Sequence, residues 1–391
     1  MSAAPVTARL ARIERLALIA GAAALGLCAL GGIFNPAQFF HSYLLAFLFC
    51  LGLGLGCLSI LMIHHLTGGL WGLVIRRVLE AGTRTIPLAA LLFVPLALGL
   101  GWLYPWVHPE AGDAALREAV EHKHLYLNRG FFLVRAVFYF AVWWGLAHLF
   151  NRWSLETDRD PQPRLWARMT ALAGGGLLLM GLTITFASID WAMSLDPRWF
   201  STIYGILFMV GQALSAMCVV VLVITWIGRE PPLSRVIRPE TMHDLGKLML
   251  AFVMLWAYVN YSQFLIIWSA NLPEEIPWYL RRLRTGWRFV GLFLVVFHFA
   301  VPFLLLLSRP LKRDARRLSR VAGALLFARL VDLFWLIGPE APPGRGVHWM
   351  DLAAPVGVVA LWLAYFLRQL RSRPLLPLGD PEIRALLAEA A

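Results

Sequence analysis

The stretch TIYGILFMVGQALSAMCVVVLVITWI, Thr202 to Ile227, contains no charged side chain. About 20 apolar residues at about 1.5 Å rise each cover the ~30 Å hydrocarbon core of a bilayer, so this segment reads as a membrane-spanning helix. Nine further stretches read the same way: 16–33, 43–63, 86–104, 131–150, 170–190, 245–269, 287–307, 318–338 and 350–370. The expected fold is an all-α polytopic membrane protein, a single integral membrane domain over 1–391 with a short tail from 374 to 391. Two four-helix bundles plus two further helices are the expected arrangement. A transmembrane barrel would show alternating segments of about ten residues, and the apolar runs here do not alternate.

Composition supports this reading. Hydrophobic residues make up 59% of the chain and charged residues 15%, below the ~25% typical of soluble domains. Mean hydropathy is +0.67. Seventeen Trp and 24 Phe suit interfacial belts and bundle packing. The net charge of +12 raises nucleic acid as a partner, but the basic residues lie in short connections between spans. They concentrate in alternate connections: 308–320 carries six and 34–42 none. By the positive-inside rule both termini are expected in the cytoplasm, with lipid and no nucleic acid as the surroundings. Arg281, Arg282 and Arg284 break the pattern, because they cluster on the expected outer side. They read either as tolerated loop charges or as a docking surface for an acidic partner.

The N-terminus reads as a first spanning helix, without a convincing small-residue cleavage site. Cys28, Cys50, Cys57 and Cys218 all fall inside expected spans and form no C-x-x-C, so they read as packing residues. Residues 64–85 and 105–130 are the longest expected connections. Within the second, Asp113–His124 reads as a short amphipathic surface helix, and Asp380-Pro381-Glu382 starts a last short helix. Asp190-Trp191 closing the fifth span and Asp332…Trp335 in the ninth form an internal echo, as two parallel four-helix units would show.

Ionisable side chains inside a bilayer usually face the bundle interior, a partner or water. Towards the expected cytoplasmic side lie His64, His65, His148, His243, Asp244 and Lys247. Near the middle lie His298, Arg329 and Asp332, with Asn260, Tyr261 and Gln263. Arg329 and Asp332 are three apart and share a helix face. They read as a neutralised packing pair or as a switchable pair in a proton path. Towards the outer side lie Arg135, Asp190, Glu274 and Glu275. With only His298 central, paired axial ligands for transmembrane haem are not apparent. No phosphate-cradling or H-E-x-x-H motif occurs either. A redox role would therefore use cofactors carried by other subunits.

Several stretches carry a family resemblance when taken together. They are HHLTGG (64–69) with WGLVIRR (71–77), TFASIDWAMSL (185–195), HDLGK (243–247), and SQFLIIW (262–268) running into NLPEEIPWY (271–279). The chain resembles the ActF family, the smaller NrfD/PsrC-like membrane subunits of bacterial alternative complex III, from the second span to the ninth. The resemblance implies a subunit of a quinol:cytochrome c, or other acceptor, oxidoreductase in the bacterial inner membrane. It implies as partners a larger NrfD-like membrane subunit, an iron–sulfur subunit and multihaem cytochrome c subunits, and in some complexes a terminal oxidase. Haem c and iron–sulfur clusters would belong to those partners; this chain would bind none itself, with quinol as a conceivable ligand.

On that basis two half-channels are expected to meet near His298, Arg329 and Asp332. The cytoplasmic one uses His148, His243, Asp244 and Lys247. The outer one uses Asp190, Gln263 and Glu274, with Asn260 nearby. A stand-alone proton-coupled transporter and a structural scaffold for redox subunits are the competing readings.

Overall fold

A computed structural model describes residues 4–341 and 347–389. Among them every regular element is helical, and ten helices are long and apolar enough to cross a membrane. They are α1 (Ala8–Phe34), α2 (Pro36–Thr67), α3 (Leu70–Leu98), α4 (Arg129–Arg159) and α5 (Pro163–Leu195). After these come α6 (Tyr204–Ile227), α7 (Pro239–Ala270), α8 (Trp287–Leu307), α9 (Ala315–Glu340) and α10 (Met350–Arg371). Part of the expected 339–349 connection, including Arg345, lies outside the described residues.

One boundary differs from the sequence reading. Residues 70–83, expected within a connection, form the first half of α3. Only Gly68 and Gly69 separate it from α2, with φ of +66° and +96°. That left-handed backbone favours glycine and reverses the chain in two residues. The half-helix escaped the hydropathy scan because Arg76, Arg77 and Glu80 sit in it, yet all three are buried. The third span ends at Leu98, before a break at Gly99, rather than running to 104. The two shorter helices match expectation. Asp113 caps Ala114–His122 by accepting from the Leu116 amide at 2.8 Å, and Pro381–Glu389 closes the chain.

Local chemistry sets the span starts. Asn35, Asn128 and Asp314 each accept a hydrogen bond from an amide three residues on, at the starts of α2, α4 and α9. α2 and α6 are innermost: 94% and 83% of their apolar cores are buried, against 17% for α1. They approach closely, because a Cβ at Gly56 would lie 2.0 Å from the Gln212 carbonyl oxygen. Small residues let spanning backbones pack in this way.

Each set of four consecutive helices closes on itself. α2 packs on α3, α3 on α4, α4 on α5 and α5 back on α2; α6, α7, α8 and α9 repeat the pattern. The bundles join along α2, α5 and α6, while α1 and α10 pack together against α2. Asp190 and Asp332 thus sit on the fourth helix of their respective bundles. Leu98, Leu178 and Leu304 are among the large apolar side chains left exposed on the outside, as lipid contact requires.

Ion pairs and hydrogen bonds tie each end together. At one end, the tail face, Arg9 meets Glu230 at 3.0 Å and Arg371 meets Glu14. At the opposite face Lys123 donates to the Pro197 carbonyl at 2.6 Å and Arg281 meets Asp196 at 2.9 Å.

Candidate functional site

The buried charges fall into four clusters: one central, two towards the opposite face and one towards the tail face. The central one lies in the second bundle. On α9, Arg329 donates to Asp332 through Nη1, one turn away. The Trp256 indole of α7 donates to the same Asp332 oxygen, Oδ2, at 3.1 Å. The His298 ring of α8 lies against that indole, centroid to centroid 4.0 Å. The guanidinium of Arg329 fits because α6 offers Gly211 there; a Cβ would sit 2.3 Å from Cζ.

His298 sets this cluster apart. It is fully buried, and neither Nδ1 nor Nε2 has a hydrogen-bond partner among the described residues. A buried polar group left unpaired costs ~1–3 kcal/mol, and on the His298 ring both nitrogens are in that position. It also sits in a π-helical segment, Leu294–Ala300, inside α8. Such widened turns recur at functional sites. The arrangement puts an unpaired imidazole, a carboxylate and a guanidinium side by side in an apolar interior. Those groups can hold or pass a proton.

The opposite-face cluster of the first bundle is fully satisfied. Arg135 Nε and Nη2 each donate to Asp190 at 2.8 Å, and Tyr139 donates its hydroxyl at 2.8 Å. Arg135 also lies 3.8 Å from the Tyr126 ring. Asp190 is therefore held in a two-point pair within the first bundle, while Gln263 and Glu274 lie on and after α7 of the second. Gln263 is buried in the second bundle, accepting from Ser201 at 3.0 Å and donating to Tyr279 at 3.3 Å. Glu274 is exposed. Asn260 is spent on the Trp256 carbonyl one turn back, at 2.9 Å.

The expected tail-side group is also divided. His148 faces outward on α4 in the first bundle, against Trp144. His243, Asp244 and Lys247 open α7 in the second, where Lys247 pairs with Asp244 at 2.9 Å in a half-exposed position. Between that level and Trp256, the inward stripe of α7 is Met249 and Val253. Of the eleven residues assigned to a proton path, His298, Arg329 and Asp332 are the ones brought together at one site.

The three clustered arginines do not form one exposed surface. Arg282 is 0% exposed, not a surface group. It donates to the Trp335 and Leu336 carbonyls at 3.2 and 3.0 Å and to Glu340 at 2.9 Å, capping the end of α9. Cations are favoured at that dipole end. Burial draws its pKa below the ordinary arginine value despite Glu340. Arg281 bridges Glu340 and Asp196. Arg284 alone of the three is exposed. Burial would raise the Asp196 pKa, but Arg198 and Arg281 outweigh it and hold the carboxyl below its usual value.

The fourth cluster lies in the half of α3 that reads as a connection in the sequence. Arg76 and Arg77 on α3 hold Glu80 at 3.1 and 2.5 Å, Arg77 also binds Asp158, and Ser154 bridges. The signal was present as two arginines and a glutamate three or four residues apart on one helical face.

At the opposite face a cleft of about 1230 Å³ lies between the bundles, lined by His41, Tyr104, Asp196, Arg281, Trp287 and Glu340 among others. Among the described residues no cluster of three or more His, Cys, Asp or Glu is placed to hold a metal ion.

Fold and site define a multi-pass, all-α membrane protein with ionisable groups buried in its bundles. No protein-family model matches the chain, and no curated protein matches it significantly.

Proposed function

We propose that this chain is a proton-conducting membrane subunit of a respiratory quinol oxidoreductase of the alternative complex III type. Its surroundings in this reading are a bacterial inner membrane, with both termini cytoplasmic, a larger NrfD-like subunit and partner subunits that carry haem c and iron–sulfur clusters. The motif resemblance from the second span to the ninth supports the complex. The observation that carries proton conduction is the unpaired, fully buried His298 stacked on the indole that binds Asp332.

In this reading a different outer half takes the place of the expected one. Tyr204, buried at the start of α6, lies within electrostatic range of both Arg282–Glu340 and Arg329–Asp332. The outer route in this reading runs from the opposite-face cleft past Glu340 and Tyr204 to Asp332. On the tail side, Met249 and Val253 form an apolar layer below Trp256. Proton exchange through that layer needs a shift of α8 or entry of water, driven by quinol oxidation in the neighbouring subunit. The aromatic walls of the opposite-face cleft suit support of a quinol head group.

The test is Asp332→Asn in the intact complex, reconstituted into liposomes. The expected result is near-normal quinol turnover with loss of proton release to the far side. Full turnover with full proton stoichiometry would overturn the reading and leave a scaffold. Purification without haem or iron–sulfur subunits would leave a stand-alone transporter.

A further inference from the structure

At the tail face a cleft of about 540 Å³ opens between α3, α4 and α10. Arg84, Arg152, Arg159 and Arg373 line it, against one lining carboxylate, Glu156. Two of the arginines are set in place by the backbone. Arg84 donates to the Gln369 carbonyl at 2.6 Å and to Ser372 at 2.8 Å. Arg373 donates to the Asn151 side-chain oxygen at 2.7 Å and to its carbonyl at 3.3 Å. The Arg84 Nε is shielded from solvent and has no hydrogen-bond partner among the described residues. Arg152 and Arg159 stand at the rim, Arg152 paired with Glu156 at 3.0 Å. Glu80 lies 4.0 Å from Arg373, but Arg76 and Arg77 already hold it. The cleft therefore carries more positive charge than its own carboxylates neutralise.

Its wall changes character with depth. From Arg84 towards the middle of the bundle, α3 exposes Leu91 and Val94, and the facing part of α4 exposes Trp144. Arginines at the mouth with apolar side chains running inward match one ligand chemistry. Phosphate oxygens accept the forked donors of arginine, and acyl chains cover apolar surface. Basic pockets between spanning helices near a membrane surface take anionic headgroups for this reason.

We propose that this cleft binds the phosphodiester headgroup of an anionic phospholipid of the tail-face leaflet, with its acyl chains along Leu91, Val94 and Trp144. The inference rests on the membrane fold alone and is independent of the respiratory reading.

The full chain is purified in detergent and exposed to phosphatidylglycerol, to phosphatidylcholine or to inorganic phosphate alone. Bound lipid is counted by native mass spectrometry, and protection is read from thermal unfolding. Phosphatidylglycerol is expected to be retained about tenfold better than phosphatidylcholine, as charge-assisted hydrogen bonds allow. Arg84→Gln removes that preference. Arg152→Gln/Arg159→Gln reduces it, and because both side chains are exposed this variant keeps the fold. Arg235→Gln, an exposed arginine elsewhere on the tail face, leaves it unchanged. Equal retention of the two lipids, or the same loss in Arg235→Gln, overturns the proposal. Protection by inorganic phosphate equal to that of phosphatidylglycerol also overturns it, in favour of a soluble-anion site.

Discussion

Arg135 and Asp190 meet across α4 and α5 as a two-point pair, with Nε and Nη2 each 2.8 Å from a separate carboxylate oxygen. Tyr139 donates a third hydrogen bond, so the carboxylate is saturated. Arg329 and Asp332 differ. They share one helix and are joined through Nη1, and an indole and an unpaired imidazole lie beside them. The first pair is built to stay closed, and the second has capacity left for a proton.

Breaking the first pair should unfold before it inactivates. Asp190→Asn leaves Arg135 buried without its counter-charge, a change that costs about 3–5 kcal/mol. Thermal unfolding in detergent should show a large fall. Arg135→Leu/Asp190→Leu should fall less than either single variant, because the unpaired charge is gone.

His298→Phe should separate stability from function. The phenyl ring keeps the packing on Trp256 and removes two unpaired nitrogens. Stability should hold or rise by up to ~1–3 kcal/mol. Proton movement in liposomes should be lost. A variant that is stable and still conducts assigns His298 to packing.

Gly56→Ala places a methyl 2.0 Å from the Gln212 carbonyl oxygen, a rigid backbone atom. α2 and α6 must separate, at a cost of about 1–3 kcal/mol or more. Gly26→Ala on α1 meets nothing within 4 Å. It should be neutral or stabilising by ~0.5–1 kcal/mol, the ordinary gain of alanine within a helix. Unfolding midpoints of the two variants test the contrast.

Arg282→Gln and Arg284→Gln should part sharply. The first uncovers the last carbonyls of α9 and leaves Glu340 to Arg281 alone, so unfolding should shift by about 1–3 kcal/mol. The second alters an exposed side chain and should stay within about 0.5 kcal/mol. If Arg284→Gln, with its fold intact, weakens binding of an acidic partner in a pull-down, the docking role survives in that one residue.

Asp196 makes the opposite face acid-sensitive. Its folded pKa is depressed below the ordinary 3.8, so its contribution is fully present above that value and is lost as pH falls through the lower, folded one. Unfolding followed between about pH 5 and pH 2 should steepen below 3.8, and Asp196→Asn should flatten the curve at lower overall stability.

The ten spans were legible because each is a local property. A bilayer offers no partner for backbone amides and carbonyls, so the chain must cross as helices long and apolar enough to read directly. α3 shows where local reading stops. Arg76, Arg77 and Glu80 make its first half resemble a loop; they neutralise one another along one helix face, and Ser154 and Asp158 of α4, which only the tertiary structure brings there, complete their burial. Gly68-Gly69 was in plain view, but its meaning as the whole connection depended on recognising a helix after it.

Partner choice was decided by the tertiary structure alone. Sequence placed Arg329, Asp332 and His298 at one depth, and they do meet. It also placed Asp190 beside Gln263, and they belong to different bundles. Arg135 finds Asp190 across 55 positions and Arg281 finds Asp196 across 85. Depth in the membrane follows from counting residues along a helix. Which charges neutralise each other follows from how helices pack sideways, and the apolar surfaces that set that packing carry no label in the order of the residues.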